Sequence, residues 1–279
     1  MEKRTIALLK VHSTAVLFGL SGVFGVLIES GTDVLVFGRA VFAFLFLWIF
    51  FKARGSRLTP RELGLQLLSG ILLATHWVTF YLGVKIGGVA VGTLGFASFP
   101  AFVTLFEMLA FKEKLHLKEY LLLLAISVGL VMITPAFEFG NQTTQGLLWG
   151  IASAASYGVL AVLNRFNAGK LSGTEASLWQ YLAVALVLFP VTAPQLPTVS
   201  LTDWVWIACV GLFCTTLAYT FFVSSLDTIN ARTAAMIISL ESVYAIAVAW
   251  ILLGEPPTLK MLIGGAIIIL SVAWTNLKK

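Results

Sequence analysis

The segment Gly70-Ile71-Leu72-Leu73-Ala74-Thr75-His76-Trp77-Val78-Thr79-Phe80 returns 141 residues later as Gly211-Leu212-Phe213-Cys214-Thr215-Thr216-Leu217-Ala218-Tyr219-Thr220-Phe221, with four of eleven positions identical. At an offset of 142, Phe111-Lys112-Glu113 falls on Leu253-Gly254-Glu255, and Leu117-Lys118 on Leu259-Lys260. Nearly the same offset in consecutive segments, close to half of a 279-residue chain, predicts a duplication. The copies are expected over residues 1–140 and 141–279.

Each copy is too apolar for water. The chain is 59% hydrophobic and 11% charged, with a mean hydropathy of +0.96, whereas soluble domains carry about 25% charged residues. The expected class is therefore an all-α integral membrane protein. A spanning helix needs about 20 apolar residues. Apolar runs between charge clusters give ten spans, near 12–28, 33–51, 63–84, 88–110, 119–135, 146–164, 174–192, 203–225, 232–253 and 258–276. The first is glycine-rich and lacks a small-residue cleavage site, so it reads as a retained span. Five spans per copy is an odd number, so the second copy must lie upside down relative to the first. Inverted repeats of this kind build many secondary transporters, with the substrate site at the repeat interface near the midplane.

Alternate loops carry the basic residues. Fifteen Lys and Arg (Lys3, Arg4, Lys10; Lys52, Arg54, Arg57, Arg61; Lys112, Lys114, Lys118; Arg165, Lys170; Arg232; Lys278, Lys279) oppose Lys85 and Lys260. By the positive-inside rule both termini are expected in the cytosol of a cell with this protein in its inner membrane. The same bias accounts for the +5 net charge, so no nucleic-acid partner is needed to explain it.

Leu240-Glu241-Ser242-Val243, followed by Trp250-Ile251-Leu252-Leu253-Gly254-Glu255, resembles the ninth span of EamA-type permeases of the drug/metabolite transporter superfamily. That span usually reads Leu-Glu-Pro-Val and then Leu-Leu-Gly-Glu. The first copy keeps Pro100, with Glu113 after the span, and the resemblance covers essentially the whole chain. It implies traffic in amino acids and related metabolites. Ser242 departs from the family's proline and keeps its amide donor, so the sequence does not demand a kink there.

Ionisable groups inside lipid are costly and point to function. Glu241 is expected midway along span 9, as a proton-titrating or cation-pairing group or as a fastener between helices. His76, flanked by Trp77 and Phe80, is a candidate cavity wall or an interhelical hydrogen-bonding group; either it or Glu241 could carry a proton. Arg39 could meet a substrate carboxylate, but snorkelling outward or pairing with Asp33 or Glu29 explains it more simply. The repeat places Gln180 at the equivalent of Arg39, beside Trp179 and Tyr181, and Tyr219 one residue from the equivalent of Trp77. Glu107 is expected to pair with Lys112 and Lys114. Ser21, Ser98 and Tyr157 complete the candidate lining, while Gly83/Gly87 and Gly88/Gly92 predict close helix packing around the turn between spans 3 and 4.

There is no Walker loop for ATP, no zincin helix, and no nucleophile elbow. His12, His76 and His116 are scattered, which makes a poor metal constellation. No cofactor is expected. Cys209 and Cys214 lie five apart on one helix and are not expected to bridge. The sequence therefore reads as a permease working by alternating access, with a small organic solute, the lipid bilayer and protons as candidate partners. Amino acids, including aromatic or apolar ones, are the expected cargo. Drugs or other amphipathic metabolites are the alternative, and a membrane-embedded enzyme is the alternative from another class.

Overall fold

The computed structural model describes residues 2–50, 58–112, 114–133, 138–166, 171–225, 228–229, 234, 237–238 and 240–277. Lys52, Arg54, Arg57, Glu113, Lys170, Arg232, Lys278 and Lys279 of the reading above lie outside these residues, as does the start of the span expected over 232–253. The described residues fold into helices, without a β-strand among them: α1 Glu2–Leu27, α2 Thr32–Phe50, α3 Pro60–Gly87, α4 Val89–Phe96, α5 Phe99–Phe111, α6 Leu117–Ile133, α7 Gln142–Phe166 and α8 Gly173–Thr192. Then come α9 Leu201–Cys209, a π-helical stretch Val210–Leu217, α10 Ala218–Ser225, α11 Glu241–Leu253 and α12 Leu259–Leu277. Seven stretches are long and apolar enough to cross a membrane: Lys3–Leu27, Thr32–Ile49, Pro60–Gly87, Val89–Phe111, Gln142–Phe166, Gly173–Thr192 and Leu201–Ser225. Glu241–Leu253 and Leu259–Trp274 are apolar but shorter. Leu9, Trp48, Leu109, Leu124 and Ile251 face outward, an apolar exterior suited to lipid rather than water.

Two of the expected spans depart from a regular α-helix. The run over 88–110 divides at Ala97 and Ser98, because Pro100 at the second position of α5 offers no amide to the preceding turn. The run over 203–225 widens into the π-helix, where Thr215 Oγ1 and Thr216 Oγ1 donate five residues back, to the carbonyls of Val210 (2.8 Å) and Gly211 (3.1 Å). Such bulges often mark functional positions. Cys209 and Cys214 are free thiols.

Positions 142 residues apart share backbone geometry. Ser98, capping α5, has φ −75° and ψ −6°. Leu240, capping α11, has φ −75° and ψ −5°. Both helices run for 13 residues and end in left-handed caps, Lys112 at φ 55° and Gly254 at φ 69°. Ser242 thus occupies the same helix start as Pro100 without needing the proline, and its hydroxyl donates to Thr93 O on α4 at 3.4 Å. The cap before α3 is also matched. Thr59 accepts from Glu62 N in a capping box, and Ser200, 141 positions later, accepts from Asp203 N ahead of α9.

Packing between the halves follows the same exchange. α3 lies against α7 and α8, while the α9–α10 segment lies against α1 and α2. α4 and α5 rest on α7 as α11 rests on α1, and α2 meets α8 as α6 meets α12. At atomic scale, a Cβ placed on Gly70 would stand 3.0 Å from Gln180 O, and one on Gly211 2.9 Å from Arg39 O. These four residues make two contacts that the 141-residue shift interchanges. The tightest seam joins α3 to α7, where Cβ atoms on Gly83 and Gly87 would come within 2.9 Å and 2.8 Å of the Gly146 backbone. Gly83 and Gly87 therefore serve mainly the contact with α7, and Gly146 and Gly150 are the partners the sequence reading did not single out.

Candidate functional site

A cavity of about 520 Å³ occupies the centre of the bundle, bounded by α1, α2, α3, α4, α5, α7, α8, α10, α11 and the π-helix. It runs from buried Arg39, His76 and Trp77 to Asn164 and Gly173, which are exposed where α7 ends and α8 begins. Nine of the ten residues named from the sequence line it: Ser21, Arg39, His76, Trp77, Phe80, Tyr157, Gln180, Tyr219 and Glu241. Ser98 does not; it is buried at the α4–α5 break, where its hydroxyl donates to Gly95 O at 2.7 Å.

Arg39 departs most from expectation. It turns into the bundle, is 5% exposed, and pairs with neither Asp33 nor Glu29. Nε donates to Thr215 Oγ1 at 2.7 Å, and Nη1 to the Tyr81 hydroxyl at 3.0 Å. Its guanidinium carbon stands 3.9 Å above the Trp77 ring, a cation–π contact. Tyr81 in turn shares a 2.7 Å hydrogen bond with Ser21. The π-helix contributes to this arrangement by bringing Thr215 to the guanidinium. Asp33 instead accepts from Gln195.

His76 is clamped by its neighbour across the α3–α7 seam. Ser153 Oγ donates to His76 O at 2.9 Å and lies 2.7 Å from Nδ1. A hydroxyl has one hydrogen, and that hydrogen is used on the carbonyl, so the network assigns Nδ1 as the donor to Ser153. In the neutral ring Nε2 is then an acceptor. Phe96 and Tyr157 pack 4.9 Å and 5.1 Å from the imidazole, centroid to centroid.

Glu241 is the first residue of α11, not the middle of a continuous span. A carboxylate there meets the positive end of the helix dipole, and no carboxyl hydrogen bond joins it to a described residue. Nearer the exposed end, Gln180 Nε2 donates to Gln66 Oε1 (3.2 Å) and Asn164 Oδ1 (3.0 Å). Gln66, Asn164, Thr215, Phe96, Phe99 and Tyr181 were not placed in the lining by the sequence. Intramembrane Gln66 and Asn164 were the available polar signal, and Tyr181 stood beside Gln180; Phe96 and Phe99 were hidden among 21 phenylalanines.

The opposite end of the bundle is sealed by polar contacts across loops. Lys85 Nζ donates to Ile28 O (2.7 Å) and Ser30 O (2.6 Å). The Asp203 carboxylate accepts from Glu29 N (3.0 Å), from Ser30 N (2.9 Å) and from the Ser30 hydroxyl. Glu255 accepts from Val89 N at 3.2 Å, capping α4. On the cavity-mouth side Glu62, the repeat partner of Asp203, accepts from Thr59 in its own capping box. Glu107 pairs there with Arg165 at 2.7 Å, rather than with Lys112 or Lys114, because Arg165 ends α7 opposite it.

The model of the EamA-like transporter family matches residues 5–134 and 144–277. An uncharacterized transporter YxxF of Bacillus subtilis is 22% identical, with 100% of this chain and 92% of that protein aligned. An uncharacterized transporter of Archaeoglobus fulgidus is 27% identical over 94% of this chain and 93% of its own. The pseudopaline exporter CntI of Pseudomonas aeruginosa is 21% identical over 88% of this chain and 86% of its own. A solved crystal structure superposes with a TM-score of 0.66 at 17% identity, covering 96% of this chain and 95% of that one.

Proposed function

The chain belongs to the EamA-like transporter family, and on that premise we propose that it is a ten-span inner-membrane permease for small organic metabolites. Two inverted five-span halves, residues 1–140 and 141–279, alternate access to the central cavity. The paired caps at Ser98 and Leu240 support the duplication. So do the interchanged contacts of Gly70 with Gln180 and Gly211 with Arg39. The EamA-like matches meet near the same boundary. Both termini lie in the cytosol, so the cavity faces the cytosol in the conformation described.

The observation that carries the reading is the cavity itself: one continuous chamber open at one end and sealed at the other. Trp77, Phe80, Phe96, Phe99, Tyr157 and Tyr219 give it aromatic walls, while Arg39, His76, Gln180 and Glu241 supply scattered polar groups. This suits a zwitterion with an apolar or aromatic side chain, and amino acids are the cargo. Export is the direction supported by a relative named as an exporter. Glu241 and His76 are the proton-coupling groups.

Trp77→Ala is the direct test. Burying a ring against an aromatic wall contributes about 0.5–1.5 kcal/mol beyond its area, so half-saturation for phenylalanine transport in proteoliposomes should rise several-fold. An unchanged value for every transported solute would show that the lining is misassigned.

A further inference from the structure

Arg39 is a buried cation in the apolar centre of a membrane protein, and no carboxylate of the described residues lies within ion-pair distance of it. Such a charge is expensive unless an anion or a strong polar network meets it. Thr215, Tyr81 and Trp77 fix the direction of the guanidinium but do not neutralise it. A guanidinium carries five N–H donors in a planar fork. Two are used, on Thr215 and Tyr81. The remaining donors belong to a group that lines the cavity. Arginine presents such donors in the geometry that carboxylates fit bidentately.

The position related to Arg39 by the repeat is neutral. Gln180 spends its amide hydrogens on Gln66 and Asn164 near the mouth. The cation is therefore confined to the sealed half of the chamber, with Glu241, which has no carboxyl partner among the described residues, also on the wall. Building on the permease reading above, we infer that Arg39 is the receptor for a substrate carboxylate. The cavity selects solutes with a free carboxylate, which enters first and docks at Arg39, while the apolar remainder stays against Trp77, Phe80 and Phe96. Gln180 and Asn164 line the path without holding the anion.

The test pairs each amino acid with its amide, which keeps the amine and side chain and removes only the negative charge. Labelled leucine, phenylalanine and other apolar amino acids are assayed for counterflow in proteoliposomes, and the best is challenged with unlabelled acid and unlabelled amide. A charge-assisted bidentate contact predicts that the amide competes roughly ten- to a hundred-fold more weakly than the acid. Arg39→Gln should close that gap by weakening the acid alone, and Arg39→Lys should keep part of it. Equal competition by acid and amide in the unaltered protein overturns the inference while leaving the permease intact. Absence of counterflow for every amino acid overturns both the inference and the amino-acid cargo on which it rests. The acid–amide comparison needs no variant, so it decides the matter even where Arg39→Gln fails to fold, as judged by monodispersity in detergent.

Discussion

At Arg39 and Glu241, a base and an acid line one chamber, yet the guanidinium is gripped by Thr215 and Tyr81 rather than by the glutamate side chain. Keeping them apart leaves each available to a visiting group. On the proposed coupling, Glu241 exchanges a proton with the cavity, and its neutral isostere separates coupling from binding. Glu241→Gln should abolish accumulation driven by a pH gradient, which for one proton per solute approaches about tenfold per pH unit. Counterflow exchange should persist, since it needs no net proton movement. Retention of pH-driven accumulation in this variant would remove Glu241 from coupling; loss of the folded protein would make it a fastener of α11. Nine of these lining residues were legible from the sequence because polar and aromatic groups inside an apolar span have few other reasons to be there. Arg39's partners were not. Thr215 reaches the guanidinium only through a π-helical widening that no local pattern announces, and outward snorkelling is the simpler outcome for an arginine six residues into a span.

Helix elements show what a duplicated sequence conserves. α5 and α11 start with the same cap geometry, although one has proline at its second position and the other serine. The first amides of a helix have no intrahelical acceptor, so proline costs little there. Ser242→Pro should therefore shift stability by no more than about 1 kcal/mol, whereas Ala245→Pro, inside α11 and facing Gly19, should cost about 3 kcal/mol or more. Thermal unfolding in detergent distinguishes them; equal destabilisation would mean that α11 does not begin at Glu241. The irregularities in the spans over 88–110 and 203–225 were only half legible. Pro100 marks the first, but the π-helix contains neither proline nor an insertion relative to residues 69–76, which remain α-helical.

Across the whole molecule, the chamber has one open end and one closed end, and at the closed end the loop contacts lie beyond buried helix residues such as Tyr81 and Val84. Lys85 and Asp203 hold the α1–α2 turn from its carbonyl and amide sides. The corresponding acid at the mouth, Glu62, accepts from Thr59 in a capping box. On the proposed alternating access, this conformation locks one end through the Lys85 and Asp203 contacts, and its mirror would lock the other. The glycine seam of α3 on α7 supplies rigid bodies for such a motion, since backbones in contact leave little room for internal bending. The central claim is that this chamber carries metabolites across the bilayer. Its most direct test loads proteoliposomes with a mixture of amino acids and related metabolites and follows which solutes leave, against protein-free liposomes, with and without a pH gradient. Selective loss of large apolar or aromatic amino acids is the predicted result, faster when a gradient is imposed. If folded protein releases no solute in either condition, amino acids are not its cargo and the reading of the chamber is contradicted.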